Sequence, residues 1–483
     1  MKLSQIIKDS RYSISTNIDN WDIDIESITF DSRAVKKHML FVAQVGTHVD
    51  GHKYIDTAIE NGATAIVCQQ LPANTQDGIV YVVTDDSDQM LGEMASNYYG
   101  RPSEKLKLVG ITGTNGKTTT VTLLHQLFRQ AGYHTGLLST IVNKINDTEI
   151  SSTHTTPDAL ELNALLNKMV EAGCEYCFME VSSHSVVQKR IAGLRFAGGI
   201  FSNITHDHLD FHKTMAGYIA AKKAFFDQLP HEAFALTNID DRNGLVMTQN
   251  TPAAIKTYSL RQMADFRCKI VENGFQGLLL ELDGKEVWSQ LVGQFNAYNL
   301  TAIYAAAVLS GIEKDEAMKL LSGLKPAEGR FAHIYGKSIN AIIDYAHTPD
   351  ALENVIDTIN NIRKDSQTLI TVVGCGGDRD KTKRPEMAKI AVGKSGKVIL
   401  TSDNPRTENP ETILDDMEAG LSAQEKSEVV RITDRRQALR AATMMAKEND
   451  IILVAGKGHE KYQEINGVKH HFDDMEEIKN LLK

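Results

Sequence analysis

Short apolar runs bounded by polar or glycine-rich turns recur along this chain, and amphipathic stretches fill the intervals between them. Residues 1 to about 100 carry SITF, MLFVAQV, TAIVC and IVYVV. After RPSEKLKL come VGIT, TGLLST, CFMEVSS, GGIFSN and FALTNID, and after KPAEGR, near 326–330, come NAIIDYA, TLITVVG, KVILTSD and DIILVAG. Runs this short, bounded by turn residues, predict strands. Between them PDALENVIDTI puts Leu352, Val355, Ile356 and Ile359 on one helical face. Strands that alternate with amphipathic helices predict parallel sheets covered on both faces. The expected fold class is α/β, in three units at 1–100, 101–326 and 327–483. In such sheets ligands sit beyond the carboxyl ends of the strands, which is where the polar motifs of this sequence fall.

Composition narrows the classes. A chain of 483 residues allows two to four domains, and 42% hydrophobic with 24% charged residues is ordinary for a soluble globular protein. The formal charge of −10 disfavours nucleic acid as a partner. The first twenty residues lack a leader pattern and no long apolar run follows, so a cytoplasmic protein without membrane insertion is expected. Five cysteines do not make a disulfide framework. Cys174 and Cys177 form C-x-x-C within the strand-like CEYCFMEV, with no second pair to complete a zinc site, and read as reduced core thiols.

The strongest local signal is VGITGTNGKTTT at 109–120. A strand enters, Gly110, Gly113 and Gly116 turn the chain, and a helix with Val121, Leu124 and Phe128 on one side leaves. Glycines let backbone N–H groups wrap a polyphosphate, and the helix N-terminus adds donors and positive dipole. Lys117 would reach the outer phosphates and the Thr118 hydroxyl a magnesium ion. Ile111 stands where the strict Walker pattern has glycine, so the match is to G-x-x-G-T-N-G-K-T. Further on, FMEVSSH puts Glu180 at the end of an apolar strand, where a buried carboxylate needs a partner such as a metal ion. SNITHDHLDFH holds His206, Asp207, His208, Asp210 and His212. Their spacing fits no common zinc site, and one histidine joining a magnesium shell is the coherent alternative. In GYIAAKKAFF, Lys222 and Lys223 read, from chemistry alone, as solvated. SDNPRTENP at 402–410 is a proline-stiffened loop after a strand, presenting Arg406 between Asp403 and Glu408.

GTNGKTTT, HTTPD, MEVSSH, THDHLDFH, YIAAK, FNAYN, EGR, DYAHTPD, GCGGDRDKTKRP, DNPR and AGKGHE occur in this order. Together they closely resemble the Mur ligases, and the likeness runs from DSR (31–33) to GKGHE. The resemblance implies a small N-terminal α/β domain for the UDP end of a substrate, a central ATP-binding domain of P-loop type, and a Rossmann-like C-terminal domain for an incoming amino acid. It implies an acyl phosphate formed from ATP on UDP-N-acetylmuramoyl-L-alanyl-D-glutamate, then attack by an amine, in a protein expected to be a monomer.

Residue by residue, it carries over Gly113, Thr114, Asn115, Gly116, Lys117, Thr118 and Thr119 to the phosphates, and Asn296 and Asn299 to the adenine side. Arg330, Asp344, Tyr345 and His347 would be nucleotide contacts from the third domain. Glu180 and His208 resemble the magnesium ligands, and Lys222 matches a lysine that is carbamylated in relatives. Ser32, Thr155, Thr156, Ser183, Gln188 and Arg190 match positions that hold the UDP-sugar-peptide. DNPR is the pattern of members that add meso-diaminopimelate, whose far carboxylate suits the fork of Arg406. Asp403, Asn404, Arg379, Gly456 and Glu460 would complete that pocket. L-lysine or another diamino acid, a different Mur ligase or a folylpolyglutamate-type ligase, and a P-loop switch are the competing readings.

Overall fold

The computed structural model describes residues 1–483 except 9, 11, 47, 48 and 153, together with the side chain of Asp210. Among the described residues four sheets form, three of five strands or more and one two-stranded hairpin, Tyr462–Ile465 with Val468–His471.

The central sheet has eleven strands. Its core is parallel, with Lys107–Thr112 between Tyr176–Glu180 and Gly198–Phe201, Thr135–Leu138 beyond the former, and Phe234–Asn238 then Ala254–Ser259 beyond the latter. Alternation along the strands sorts side chains to two faces. Val109, Ile111 and Phe178 pack with Val121, Leu124 and Phe128 of the helix Lys117–Gln130 and with the helix Gln294–Leu309. Leu108, Cys177 and Met179 pack with Leu162 and Leu166 of Ala159–Glu171 and with Phe225 of Met215–Asp227. The chain thus leaves this sheet on both sides of Lys107–Thr112, which opens a crevice at the carboxyl end of that strand.

Both edges depart from the all-parallel expectation. Phe266–Gly274, Gly277–Leu282 and Lys285–Ser289 pair antiparallel at one edge, and Val142–Ile145 with Thr148–Ser151 at the other. The reason is one-sided burial. Phe266 and Cys268 are buried whereas Arg267 and Lys269 face water, a pattern that antiparallel strands tolerate.

The six-stranded carboxy-terminal sheet runs parallel through Ile339–Asp344, Ile451–Ala455, Leu369–Val373, Lys397–Leu400 and Val429–Arg431, with Ala332–Gly336 antiparallel at its edge. Four of its strand ends release DYAHTPD, AGKGHE, GCGGDRD and DNPR toward one side. A five-stranded sheet holds Ser27–Thr29, Met39–Val42, Ala63–Cys68, Val80–Val83 and Ser13–Ser15, the last pairing antiparallel. All five cysteines are buried and free. No described helix is long and apolar enough to cross a membrane.

Candidate functional site

Gly116 takes φ 87° immediately before the helix Lys117–Gln130, and a Cβ there would fall 2.5 Å from Asn299 Oδ1. Only glycine suits both the conformation and the space. Asn299 is itself placed by Nδ2 donation to Asn296 Oδ1 (3.1 Å), while Asn296 Nδ2 donates to Val292 O (2.8 Å). These two amides are buried polar groups on a helix that is apolar almost all round. Lys117 folds back, its Nζ donating to the carbonyls of Gly113 and Thr114 (2.9 Å each). Asn115 N–H donates to Asn203 Oδ1 (2.9 Å) and its Nδ2 to Asp350 Oδ2 (2.6 Å), which ties the loop to the carboxy-terminal unit. Thr114 Oγ1 shares a hydrogen bond with Tyr218 OH (3.1 Å), and Thr119 is buried behind the loop.

Glu180 is 1% exposed. It accepts from Thr118 Oγ1 (2.8 Å), Thr140 N (2.8 Å) and Thr140 Oγ1 (3.1 Å). Among the described residues no ammonium or guanidinium forms an ion pair with it, so a buried anion is held by neutral donors alone. Arg330 Nη2 donates to the same Thr118 hydroxyl at 3.3 Å. Thr118 and Glu180 are therefore adjacent hard oxygen donors beside the phosphate loop. That fits magnesium, which takes one or two protein oxygens and completes its shell with water and phosphate oxygens. No group of three or more acidic, histidine or cysteine side chains forms a ready cage among the described residues.

Lys222, in the helix Met215–Asp227, is 1% exposed rather than solvated. Its Nζ donates to Gly113 O (2.8 Å), the carbonyl that Lys117 also uses, and lies 4.6 Å from the centre of the Tyr218 ring. Burial, then the charge of Lys117, pushes its pKa well below the usual amine value. His208 sits at φ 55°, 3.3 Å from Asp207 through Nε2. Desolvation in the cleft, outweighing the attraction of Asp207, lowers its pKa to about 4 and leaves a neutral imidazole, the form that binds metals. Lys222 and His208 therefore flank the loop, while their direct partners here are Gly113 and Asp207, not Glu180.

Thr156 Oγ1 donates to Glu180 O (2.8 Å), and Arg190 Nη1 donates to Thr156 O (2.7 Å). Thr155 Oγ1 lies 3.1 Å from Thr140 Oγ1, which can accept from it while donating to Glu180, and Ser183 Oγ meets His212 Nε2 (2.8 Å). Thr155, Thr156, Ser183 and Arg190 are thus gathered around the Glu180 strand end. Gln188 closes the short helix Ser183–Val187. Ser32 belongs to the amino-terminal unit, where its carbonyl accepts from Asn61 Nδ2 (2.9 Å).

On the carboxy-terminal side, Arg330 lies 4.7 Å over the Tyr345 ring, which also meets His347 (4.6 Å) and His459 (4.9 Å). Asp344 accepts from Phe331 N–H (2.7 Å), and burial raises its pKa. Burial lowers the pKa of His347 to about 4. Asp207, His208, Tyr345 and His347 share one cleft with Arg379, Lys383, Asp403, Arg406, Gly456 and Glu460. Arg406 takes φ 51°, donates Nη1 to Gly377 O (2.8 Å), and pairs weakly with Glu464 (3.5 Å). Its N–H donates to Glu464 O (3.0 Å) and its carbonyl accepts from Asn466 N–H (2.8 Å), so the hairpin Tyr462–His471 holds the loop as well as the prolines.

Three adjacent protein-family models match this chain: "Mur ligase family, catalytic domain" over 24–99, "Mur ligase middle domain" over 111–307, and "Mur ligase, glutamate ligase domain" over 329–458. A Phocaeicola vulgatus protein named UDP-N-acetylmuramoyl-L-alanyl-D-glutamate--2,6-diaminopimelate ligase is 53% identical over 483 residues, 100% of this chain and 99% of its own length. A Cytophaga hutchinsonii protein of the same name is 55% identical, covering 99% of each chain. The chain belongs to the Mur ligase family. A solved structure of a ligase with that name superposes on this Mur ligase with a TM-score of 0.71 at 32% identity, covering 100% of this chain and 98% of the other.

In this Mur ligase two lysines that the motifs did not single out lie in or beside that cleft. Lys457 is 0% exposed and donates to Asn404 Oδ1 (3.0 Å) and Glu460 Oε2 (3.2 Å), with Asp403 at 3.7 Å. Asn404 Nδ2 donates to Glu460 Oε2 (2.7 Å). Two carboxylates thus share one buried ammonium, and burial, then the charge of Asp403, raises the Glu460 pKa. Lys383 Nζ donates to His347 O (2.9 Å). Between glycines in AGKGHE, a lysine reads as a solvated loop residue; its burial arises only when the DNPR loop folds against it.

Proposed function

We propose that this chain joins meso-diaminopimelate to UDP-N-acetylmuramoyl-L-alanyl-D-glutamate at the expense of ATP, a step of peptidoglycan precursor synthesis in the cytoplasm. The observation that carries the reading is one cleft in which Asp207 and His208, from a segment whose Thr205 N–H bonds the phosphate loop at Thr114 Oγ1 (3.0 Å), face a fork-shaped cation, Arg406, and an acidic corner, Asp403 with Glu460. That pairing matches an amino acid with a second carboxylate and a second ammonium at its far end.

The γ-phosphoryl of ATP passes to the substrate's terminal carboxylate oxygen, releasing ADP and giving an acyl phosphate. The amine then attacks the carbonyl carbon, loses a proton, and expels phosphate as the amide forms. A carboxylate lacks a leaving group, and phosphorylation supplies one. Lys117 and the N–H groups of 113–119 hold the phosphates, with Arg330 and His347 reaching them from the carboxy-terminal side. Asn296 and Asn299 read the adenine side. Thr118, Glu180 and His208 would hold magnesium, which when bound neutralises charge on the transferring phosphoryl group. Thr155, Thr156, Ser183, Gln188, Arg190 and Ser32 orient the UDP-sugar-peptide.

Lys222 is read as a carbamate site. A neutral amine adds carbon dioxide and loses a proton, which turns a cation into a carboxylate-like anion. Burial beside Lys117 favours the neutral amine that this addition needs. Units at 1–100, 101–326 and 327–483, acting as a monomer, complete the reading. The test is a panel with meso-diaminopimelate, L-lysine and L-ornithine at fixed ATP and UDP-muramoyl-dipeptide. Turnover should require meso-diaminopimelate. Equal or better turnover with lysine would overturn the assignment.

A further inference from the structure

The loop that carries Arg406 ends in Glu408, a residue the reaction above does not use. It meets Arg384, in the first turn of the helix Lys383–Lys394, whose side chain is 0% exposed. The guanidinium forks onto both carboxylate oxygens, Nη1 to Oε2 at 3.0 Å and Nη2 to Oε1 at 2.8 Å. Nη2 also donates to Gly376 O (3.2 Å), and Nη1 to Asp416 Oδ2 (2.7 Å) on the helix Pro410–Glu418. Glu408 Oε1 in turn accepts from Asp378 N–H (2.6 Å). The pair therefore grips the turn 376–378 at both ends, by the carbonyl of Gly376 and the amide of Asp378.

Gly377, between those two anchors, accepts from Arg406 Nη1 at 2.8 Å, and its own N–H donates to Asn404 O at 2.9 Å. The two backbones touch there. A Cβ on Gly377 would lie 1.9 Å from Pro405 O. Thr407 Oγ1 adds bonds to the Asp378 carboxylate (2.8 and 2.9 Å). A shift of the turn thus moves the acceptor that orients the Arg406 guanidinium.

We infer that the Arg384–Glu408 pair is a positioning unit for Arg406, and through it a determinant of selectivity for an amino acid with a distal carboxylate. A buried ion pair is weak evidence for stability, since apolar residues of similar volume serve as well. Its fixed, two-pronged geometry is what apolar residues cannot supply. The Arg384 fork, ahead of the Asp378 amide, holds the Glu408 pKa down to about 2, so the grip persists throughout the working pH range. The inference rests on the reading of Arg406 as the group that meets the far carboxylate.

Glu408→Gln keeps the shape and removes the charge. In the full-length enzyme it should raise KM for meso-diaminopimelate about tenfold or more, because small misplacements of an orienting group cost orders of magnitude. KM for ATP should stay within about twofold, and residual turnover with L-lysine should not change, so selectivity narrows by the same factor. Asp416→Asn, which touches Arg384 but not the turn, should lower the melting temperature and leave KM in place. In an Arg406→Ala background Glu408→Gln should add less than about twofold, since its effect runs through that side chain. Should Glu408→Gln not fold, Arg384→Lys, which keeps the charge and loses the fork, carries the same expectation. A folded Glu408→Gln enzyme with unchanged KM for meso-diaminopimelate overturns the inference, as does a full-sized effect persisting without Arg406. Unchanged kinetics in Arg406→Ala alone would overturn the substrate reading itself, and the inference with it.

Discussion

Replacing Arg406 by alanine removes the group on which the proposed reading of the third substrate rests. The guanidinium has five N–H donors. In the free enzyme Nη1 gives one to Gly377 O at 2.8 Å, and Nε approaches Glu464 Oε2 at 3.5 Å. The Nη2 edge and the second Nη1 hydrogen remain for a ligand, which is what a two-pronged bond to a carboxylate uses. Hydrogen bonds to a charged partner contribute about 1.5–3 kcal/mol each. Two of them give roughly 3–6 kcal/mol, and at about 1.4 kcal/mol per factor of ten, kcat/KM for meso-diaminopimelate should fall by about 10²–10⁴. The partner left behind, Glu464, has a quarter-exposed side chain and can be solvated, so little of this loss reflects a stranded charge. Lysine presents no far carboxylate, and its low turnover should hold or rise once the unpaired cation is gone. The assay is phosphate release with each amino acid in turn, alongside ATP affinity and thermal unfolding. A loss below about threefold, or an equal loss in ATP affinity, would refute the reasoning.

Two further outcomes follow from buried charges. Lys222→Ala should fold, keep nucleotide affinity within a few-fold, and lose about two orders of magnitude or more of turnover; a carbamate carbon signal in ¹³C-bicarbonate should be present in the parent protein and absent in the variant, and full activity without Lys222 would refute its role. Arg435 and Asp474 are both 0% exposed and joined at 2.7 and 2.8 Å, with Arg435 also donating to Ala455 O (3.1 Å) and Ser402 O (3.5 Å). Asp474→Ala strands that guanidinium at a cost of about 3–5 kcal/mol. At roughly 2–4 °C per kcal/mol for a unit of this size, calorimetry should show the carboxy-terminal transition about 6–20 °C lower, and a shift under about 3 °C would contradict the pairing.

The parallel strands were legible because each is a short apolar run ended by turn residues. Every such run near 107, 135, 176, 198 and 234, and near 339, 369, 397 and 451, forms a strand. The antiparallel edges were harder to read, because one covered face gives alternation without the continuous apolar signal. At the site, the phosphate loop could be read from glycines and one lysine. Glu180 stood out as a carboxylate ending an apolar strand. Lys222 did not, because its neighbour Lys223 has the same side chain yet is partly exposed and paired with Asp227 at 2.6 Å, and helical phase alone separates the two. Lys457 and Arg384 were invisible for a related reason. Their burial depends on partners more than 20 residues away in sequence, Asn404 for one and Glu408 for the other.

The Thr118 hydroxyl makes a physical link between the halves of the site. It donates to Glu180 from the central sheet's own strand end and accepts from Arg330, which arrives with the carboxy-terminal unit. Asn115, in the loop three residues earlier, repeats the arrangement, bonding Asn203 on its own side and Asp350 across. Both crossings pass through the phosphate loop rather than through the apolar cores. In the proposed reaction the cations that would neutralise the transferring group therefore come from both units. Lys117 is supplied by one and Arg330 by the other, and neither alone balances a triphosphate.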